Sequence, residues 1–172
     1  MTRTVAVAVT HLELASRDGL RPSTLVPCGV VLRCETQPEA AVIAAAMYRR
    51  VGAEWSWRDR LAWTPTDWAG AVHRDGVEVW TLREADVAIG YFELEQREEV
   101  VAVKYFGLTP DGMGRGLGGW LLTRAVRRAW ALGASRVVLN TCTLDGPAAL
   151  PNYLARGFRV VRVEHQEREL PV

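Results

Sequence analysis

The chain has 172 residues, of which 49% are hydrophobic and 24% are charged, and its formal net charge at pH 7 is +1. This length and composition predict one globular domain over residues 1–172 with a substantial apolar core. The small net charge gives no indication of a nucleic acid or an anionic membrane as a partner.

The sequence predicts a cytoplasmic protein without a metal site. The longest apolar run, Ala40 to Tyr48, is too short to span a bilayer. The apolar N-terminal run is interrupted by His11 and Glu13, and no cleavage site of a signal peptide follows it. The three cysteines lack C-x-x-C spacing, which is typical of reduced thiols, and they form no cluster with the three histidines.

Apolar periodicity and turn residues divide the chain into alternating strands and helices. Strands that come first as hairpins and then alternate with helices predict an α/β fold, with a mixed, mostly antiparallel sheet and helices on both faces. The predicted strands are Thr4–Leu14, Val77–Leu82, Val87–Glu95, Val100–Gly107, Ser135–Thr141 and Phe158–Glu164. The predicted helices are Gln37–Val51, one that begins at Pro65 behind the cap Thr64, Leu117–Leu132 and Pro147–Arg156.

Five glycines fall between Gly112 and Gly119, where the helix at Leu117 begins. Glycine lets a ligand approach the main chain, and the unpaired N–H groups at a helix N-terminus attract anions. The stretch therefore predicts a phosphate site, the alternative being a turn that only caps the helix. It lacks the lysine of a P-loop, and the following strand lacks the acid of a dinucleotide site.

Two stretches resemble the GNAT superfamily of N-acetyltransferases. YFGLTPDGMGRGLGGWLL is similar to the family's coenzyme A loop, a strand and a proline followed by Gln/Arg-x-x-Gly-x-Gly/Ala at a helix start; Met113 replaces the usual Gln or Arg. RVVLNTCTLDGPAALPNYLARGFRVV resembles the closing strand, helix and strand, with Tyr153 four residues before Gly157. The clear resemblance runs from about Val87 to Val163 and covers nearly half of the chain.

This resemblance implies a GNAT-like fold that binds acetyl-CoA and transfers the acetyl group directly to an amine. A main-chain N–H near Leu108 would stabilise the developing oxyanion, and Tyr153 would protonate the leaving thiolate. The cofactor contacts that the resemblance implies are Leu108, Met113, Gly114, Arg115, Gly116, Leu117, Gly118, Asn140 and Asn152.

Ala102 occupies the position at which histone-modifying relatives keep a glutamate, so either another acid or a chain of water molecules would serve as the general base. Glu93, Glu95 and Tyr91 share one face of a strand by alternation. A carboxylate in the middle of a covered strand is either paired or functional, so Glu93 is the candidate base and a structural ion pair is the alternative. A connection with an even number of residues to the next strand would place Glu93 on the same face as Ala102.

The acceptor is expected to be a small-molecule or amino-acid-like primary amine. The alternatives are a protein N-terminus or lysine, or a non-catalytic acyl-CoA-binding module, which the departures at Ala102 and Met113 leave open. Four tryptophans between Trp55 and Trp68 predict either core packing or a wall of the acceptor pocket. Lys104 lies within an apolar strand and has no functional interpretation. The expected assembly includes a homodimer.

Overall fold

The computed structural model describes residues 2–171, which form seven strands and four α-helices. In chain order these elements are β1 Thr2–Leu14, β2 Val30–Glu35, α1 Glu39–Gly52, α2 Pro65–Val72, β3 Val77–Glu84, β4 Val87–Arg97, β5 Val100–Leu108, α3 Leu117–Ala131, β6 Arg136–Cys142, α4 Ala149–Ala155 and β7 Arg159–Pro171. The strands make one sheet in the order β2-β3-β4-β5-β6-β1-β7. All neighbouring strands are antiparallel except β5 and β6, so the predicted mixed, mostly antiparallel sheet is confirmed.

Helices cover both faces of the sheet, also as predicted. The apolar side of α3, with Leu121, Leu122 and Ala125 fully buried, packs on one face together with α4. Tyr48 of α1 and Trp68 of α2 pack with Tyr91 of β4 on the other face. The side chain of Thr64 caps α2 and accepts a hydrogen bond from the Asp67 N–H at 3.2 Å.

Two strands differ from the sequence prediction. Strand β2 was not predicted, because it is a short edge strand in which only Glu35 is fully buried, so it carries little apolar signal. Strand β7 extends from Arg159 to Pro171, well beyond the predicted end at Glu164. Its second half is polar, and it is held in the sheet by pairing with β1, from Thr2 opposite Pro171 to Glu13 opposite Arg159.

The parallel strands β5 and β6 pair over only three residues each, Val100–Ala102 with Arg136–Val138. Just beyond this pairing, β5 contains a bulge: Leu94 of β4 is opposite Val103, whereas Glu93 is opposite Tyr105, so Lys104 is the extra residue. The bulged strand bends there, and β5 and β6 separate toward their C-terminal ends.

The connection between β4 and β5 has two residues, Glu98 and Glu99, and Glu95 is directly opposite Ala102. Because Glu93 and Glu95 alternate along β4, Glu93 lies on the same face of the sheet as Ala102. This is the face that α1 and α2 cover.

Gly157 joins α4 to β7 in the left-handed region, with φ of +100°. A Cβ at this position would lie 2.0 Å from the Gly19 carbonyl oxygen. We expect Gly157→Ala to destabilise the fold by about 3 kcal/mol, because it adds backbone strain and a clash with a main-chain atom. Urea unfolding measures this, and Gly70→Ala in α2 is the matched control.

A Cβ at Gly70 would meet no atom within 4 Å, so the control is expected to gain about 0.5–1 kcal/mol of helix propensity. Equal stability of the two variants would contradict the close approach at Gly157.

Candidate active site

A cavity of about 1420 Å³ lies where β5 and β6 separate. Its walls come from the C-terminal half of β5, from β6, from the glycine stretch at the start of α3 and from α4. The connection between α1 and α2, including Trp55, Trp57 and Asp59, forms a further wall. Residues that are far apart in the sequence thus meet around one space.

The glycine stretch enters this cavity as a tight turn. Gly114 and Gly116 have φ of +71° and +72°, and Gly116 is the N-cap of α3. A Cβ at Gly114 would meet no atom within 4 Å, so the main chain there faces open space. The first-turn N–H groups of α3 have no intrahelical partner and carry the positive end of the helix dipole. The arrangement can hold an anion such as phosphate.

Most of the predicted cofactor residues line this cavity together. A Cβ on Gly118 would lie 3.6 Å from Asn152 Nδ2 and 3.8 Å from Leu108 Cδ1, so these three residues are immediate neighbours. Arg115 differs, because its guanidinium donates to Glu84 at 2.7 Å outside the cavity. The predicted residues that do line it are Leu108, Met113, Gly114, Gly116, Leu117, Gly118, Asn140, Asn152 and Tyr153.

Tyr153 of α4 is 7% exposed and lines the cavity. Its ring packs edge-on against Phe106 of β5, at 6.1 Å between ring centroids, and against Phe158 at 6.4 Å. Burial raises the pKa of the Tyr153 phenol, and the charge of Asp145 raises it further. The hydroxyl therefore stays protonated at neutral pH and is able to donate its proton.

Glu93 is buried, with 2% of the residue exposed, and is not part of the cavity lining. Its carboxylate oxygens accept hydrogen bonds from Arg60 Nη1 at 2.8 and 3.1 Å. Burial raises the pKa of the Glu93 carboxyl, while the Arg60 guanidinium opposes that rise. The Arg60 guanidinium in turn stacks over Tyr105 at 4.2 Å and over Trp63 at 4.4 Å from the ring centroids. The ion pair considered from the sequence is thus present.

Two carboxylates on the cavity wall were not identified from the sequence. Asp59 accepts hydrogen bonds from the hydroxyls of Tyr48, at 2.7 Å, and Tyr105. Asp145 accepts from the Thr141 hydroxyl at 2.6 Å and from the Cys142 N–H at 2.9 Å. Both residues are in connections, where an aspartate is common, and neither has a sequence pattern that marks it.

The tryptophans divide between core and cavity. Trp68 is 2% exposed and belongs to the core. Trp57 both packs, with its ring centroid 5.2 Å from that of Tyr105, and lines the cavity, where its Nε1 donates to Asp145 at 3.4 Å. The Trp55 ring approaches Gly146 so closely that a Cβ there would be 3.0 Å from it. The α1–α2 connection therefore reaches across the cavity to the residues before α4.

Lys104, the extra residue of the bulge, is exposed and lines the cavity, with Nζ 3.8 Å from Glu95. Within residues 2–171 no group of three or more His, Cys, Asp or Glu side chains is gathered as a metal site. None of the helices in this described part has the length and apolarity needed to cross a membrane.

Residues 43–158 match the sequence model of the Acetyltransferase (GNAT) family. No curated protein matches the chain by sequence. Among solved structures, a GCN5-related N-acetyltransferase from Sphaerobacter thermophilus is 16% identical with a TM-score of 0.74, and the alignment covers 98% of this chain and 53% of that one. One from Kribbella flavida is 17% identical with a TM-score of 0.67, covering 99% and 60%. The chain thus spans little more than half the length of these two proteins.

The ribosomal-protein-S18-alanine N-acetyltransferase from Escherichia coli is 15% identical with a TM-score of 0.60. That alignment covers 76% of this chain and 77% of the other. At such identities the three structures show a shared fold.

The buried pair of Glu93 and Arg60 yields a stability prediction. We expect Glu93→Gln to lower the free energy of unfolding by about 3 kcal/mol, because it leaves the Arg60 charge buried without its partner. Thermal and urea unfolding measure the loss.

The double variant Glu93→Met with Arg60→Met removes both charges and should recover most of that stability. If Glu93→Gln is as stable as the unsubstituted protein, the pair contributes nothing to the fold.

Proposed function

The chain belongs to the Acetyltransferase (GNAT) family, and on that basis we propose that it transfers the acetyl group of acetyl-CoA to a primary amine of a small-molecule or amino-acid-like acceptor. The observation that carries the proposal is that one cavity joins the glycine stretch, the separated end of β5 and Tyr153. The glycine stretch would bind phosphates, the main chain of β5 would donate hydrogen bonds, and Tyr153 would donate a proton.

The residues present fit a phosphate-bearing acyl carrier. The open space beside Gly114 and the unpaired N–H groups at the start of α3 suit a pyrophosphate. Leu108 and Asn152, next to Gly118, line the same end of the cavity. Met113 supplies only its main chain to an anion, since its side chain carries no charge. Acetyl-CoA, when bound, supplies the acetyl group as an activated thioester.

The chain's own groups would assist the transfer at two points. Beyond Ala102, β5 has no ladder with β6, so main-chain groups on that side of β5 lack a strand partner. An N–H near Leu108 is proposed to donate to the thioester oxygen as negative charge develops there. The protonated Tyr153 hydroxyl is proposed to give its proton to the departing sulfur.

Glu93 is proposed as the base that takes a proton from the amine. Its carboxylate is held by Arg60 and does not line the cavity, so it would act through water. The Glu93→Gln variant, assayed below its melting temperature, should lose rate and the acid limb of its pH profile. An unchanged rate and profile would transfer the role to Glu13, Glu95 or bulk water.

Other readings of the same cavity are a protein N-terminal or lysine acetyltransferase and an acyl-CoA-binding module without catalysis. The small-molecule and the protein acetyltransferase share the chemistry at the thioester, so an assay of free thiol with a panel of small amines and peptides separates them by the acceptor that gives thiol release. A protein that binds coenzyme A but releases no thiol with any amine or peptide would be the module without catalysis.

Coenzyme A binding is the first expected result. At a hundredfold over its dissociation constant the ligand should stabilise the fold by about 2.7 kcal/mol, measured as a rise in melting temperature. Gly118→Val should fold but lose this rise, because its side chain would occupy the space between Asn152 and Leu108.

Gly70→Val, on the outside of α2, is the matched control and should keep the rise. A melting temperature that millimolar coenzyme A leaves unchanged in the unsubstituted protein would show that the cofactor assignment is wrong.

Tyr153→Phe should lower the rate of the chemical step by about 10²-fold and leave the affinity for coenzyme A unchanged, since only the proton donor is lost. Single-turnover release of free thiol measures the step. Tyr91→Phe is the matched control, because the buried Tyr91 hydroxyl has no hydrogen-bond partner among the described residues and lies outside the cavity. Equal rates for the two variants would remove Tyr153 from the mechanism.

A further inference from the structure

The charged residues on the α1–α2 face of the sheet differ in how they are neutralised. Glu93 is paired with Arg60 at 2.8 Å, and Glu35 with Arg83 at 3.2 Å. Glu95 is paired with Arg74 at 3.0 Å. Each buried carboxylate thus has a cation beside it, as burial of a charge requires.

Asp59 has no such cation. Its two hydrogen-bond donors, the hydroxyls of Tyr48 and Tyr105, are neutral, and within residues 2–171 no ion pair includes it. The two tyrosines hold the carboxylate in one position at the cavity wall without cancelling its charge. The Asp145 carboxylate is likewise bound only by neutral donors, namely a hydroxyl, a main-chain N–H and the Trp57 indole.

Aromatic rings lie beside this fixed negative charge and along the same cavity wall. Trp57, Tyr105 and Trp55 all line the cavity, and the ring centroids of Trp57 and Tyr48 are 5.4 Å apart. The faces of such rings attract cations, and their apolar surface suits the body of an organic ligand. The neighbouring Arg60 shows the affinity directly, since its guanidinium stacks over Tyr105 from the side of the core.

The backbone holds this wall in an unusual conformation. Ser56, between Trp55 and Trp57, has φ of +57°, which is uncommon for a residue other than glycine. It turns the two flanking indoles, one against Gly146 and the other onto Tyr48 and Tyr105. Strain of this kind persists where the surrounding contacts determine it, and it is common at ligand sites.

We propose that this wall, formed by Asp59, Trp55, Trp57 and Tyr105, is a subsite for an organic ammonium group. The Asp59 carboxylate is the counter-ion of the ammonium group, and the indole rings contact the apolar part of the same ligand. The inference rests on the proposed function, since it assigns the acceptor of that reaction to the class of apolar amines that are cationic at neutral pH. Asp59 binds and orients the ammonium form, and the deprotonation that precedes attack belongs to a separate group.

The experiment compares 2-phenylethylamine with its uncharged isostere 2-phenylethanol, each titrated calorimetrically into the protein with and without coenzyme A. The amine should bind about tenfold more tightly than the alcohol, because both the carboxylate and the rings favour the cation. In Asp59→Asn, which keeps the size of the side chain and an acceptor oxygen for one of the two tyrosine hydroxyls, most of this preference should be lost, and only the contribution of the rings should remain.

Asp75→Asn is the matched control, because Asp75 is exposed in the turn before β3 and lies outside the cavity, and it should keep the preference for the amine. Equal binding of the two ligands to the unsubstituted protein, binding of neither, or a preference that Asp59→Asn leaves undiminished would overturn the proposal.

The arms with and without coenzyme A separate the two hypotheses. A preference for the amine that depends on Asp59 supports the subsite even if coenzyme A does not bind. The failure of coenzyme A to bind would then count against the acetyl-transfer function and not against the subsite. With turnover established, Asp59→Asn should raise the KM for the amine about tenfold and leave the KM for acetyl-CoA unchanged. An unchanged KM for the amine would overturn the subsite while leaving acetyl transfer in place.

Discussion

The short parallel contact between β5 and β6 is the constraint on which the candidate site depends. Three residue pairs join the two strands, and the bulge at Lys104 then bends β5 away from β6. A continuous ladder would have satisfied the main-chain groups of β5 and closed the space between the strands. Because the strands separate, the end of β5 is open on one side, and α3 and α4 can bring the glycine stretch and Tyr153 to the same opening.

The buried glutamates of the α1–α2 face and two aspartates of the cavity wall differ in the groups that bind them. The buried carboxylates of Glu35, Glu93 and Glu95 are each bound to an arginine. The carboxylates of Asp59 and Asp145 are bound only by neutral donors. Neutral hydrogen bonds fix the position of a charge and leave its field available to a ligand, which is why the proposed ammonium subsite centres on Asp59 and not on one of the paired glutamates.

Local patterns predicted the elements that local forces determine. Three signals depend only on residues that are close together in the sequence: the glycines before Leu117, the periodicity of α3 and the cap at Thr64. All three correspond to the structure. The strand β2 and the second half of β7 are held by pairing with distant strands and have little apolar alternation, so the sequence did not show them. The place of Asp59 in the cavity wall escaped prediction for the same reason, because hydrogen bonds from α1 and β5 hold it there and no spacing in the sequence encodes them.

The place of β1 in the sheet has a consequence for how the chain folds. This strand begins at Thr2, yet its partners on both sides, β6 and β7, begin at Arg136 and Arg159. Pairing across more than a hundred residues carries a high loop-closure entropy and gives slow folding. During synthesis β1 leaves the ribosome long before either partner exists, and its apolar residues, such as Val7 and Val9, then have nothing to pack against. The middle of the sheet, from β3 to β5, is built from local hairpins and can form first, so the last event in folding would be the pairing of β1 with β6 and β7.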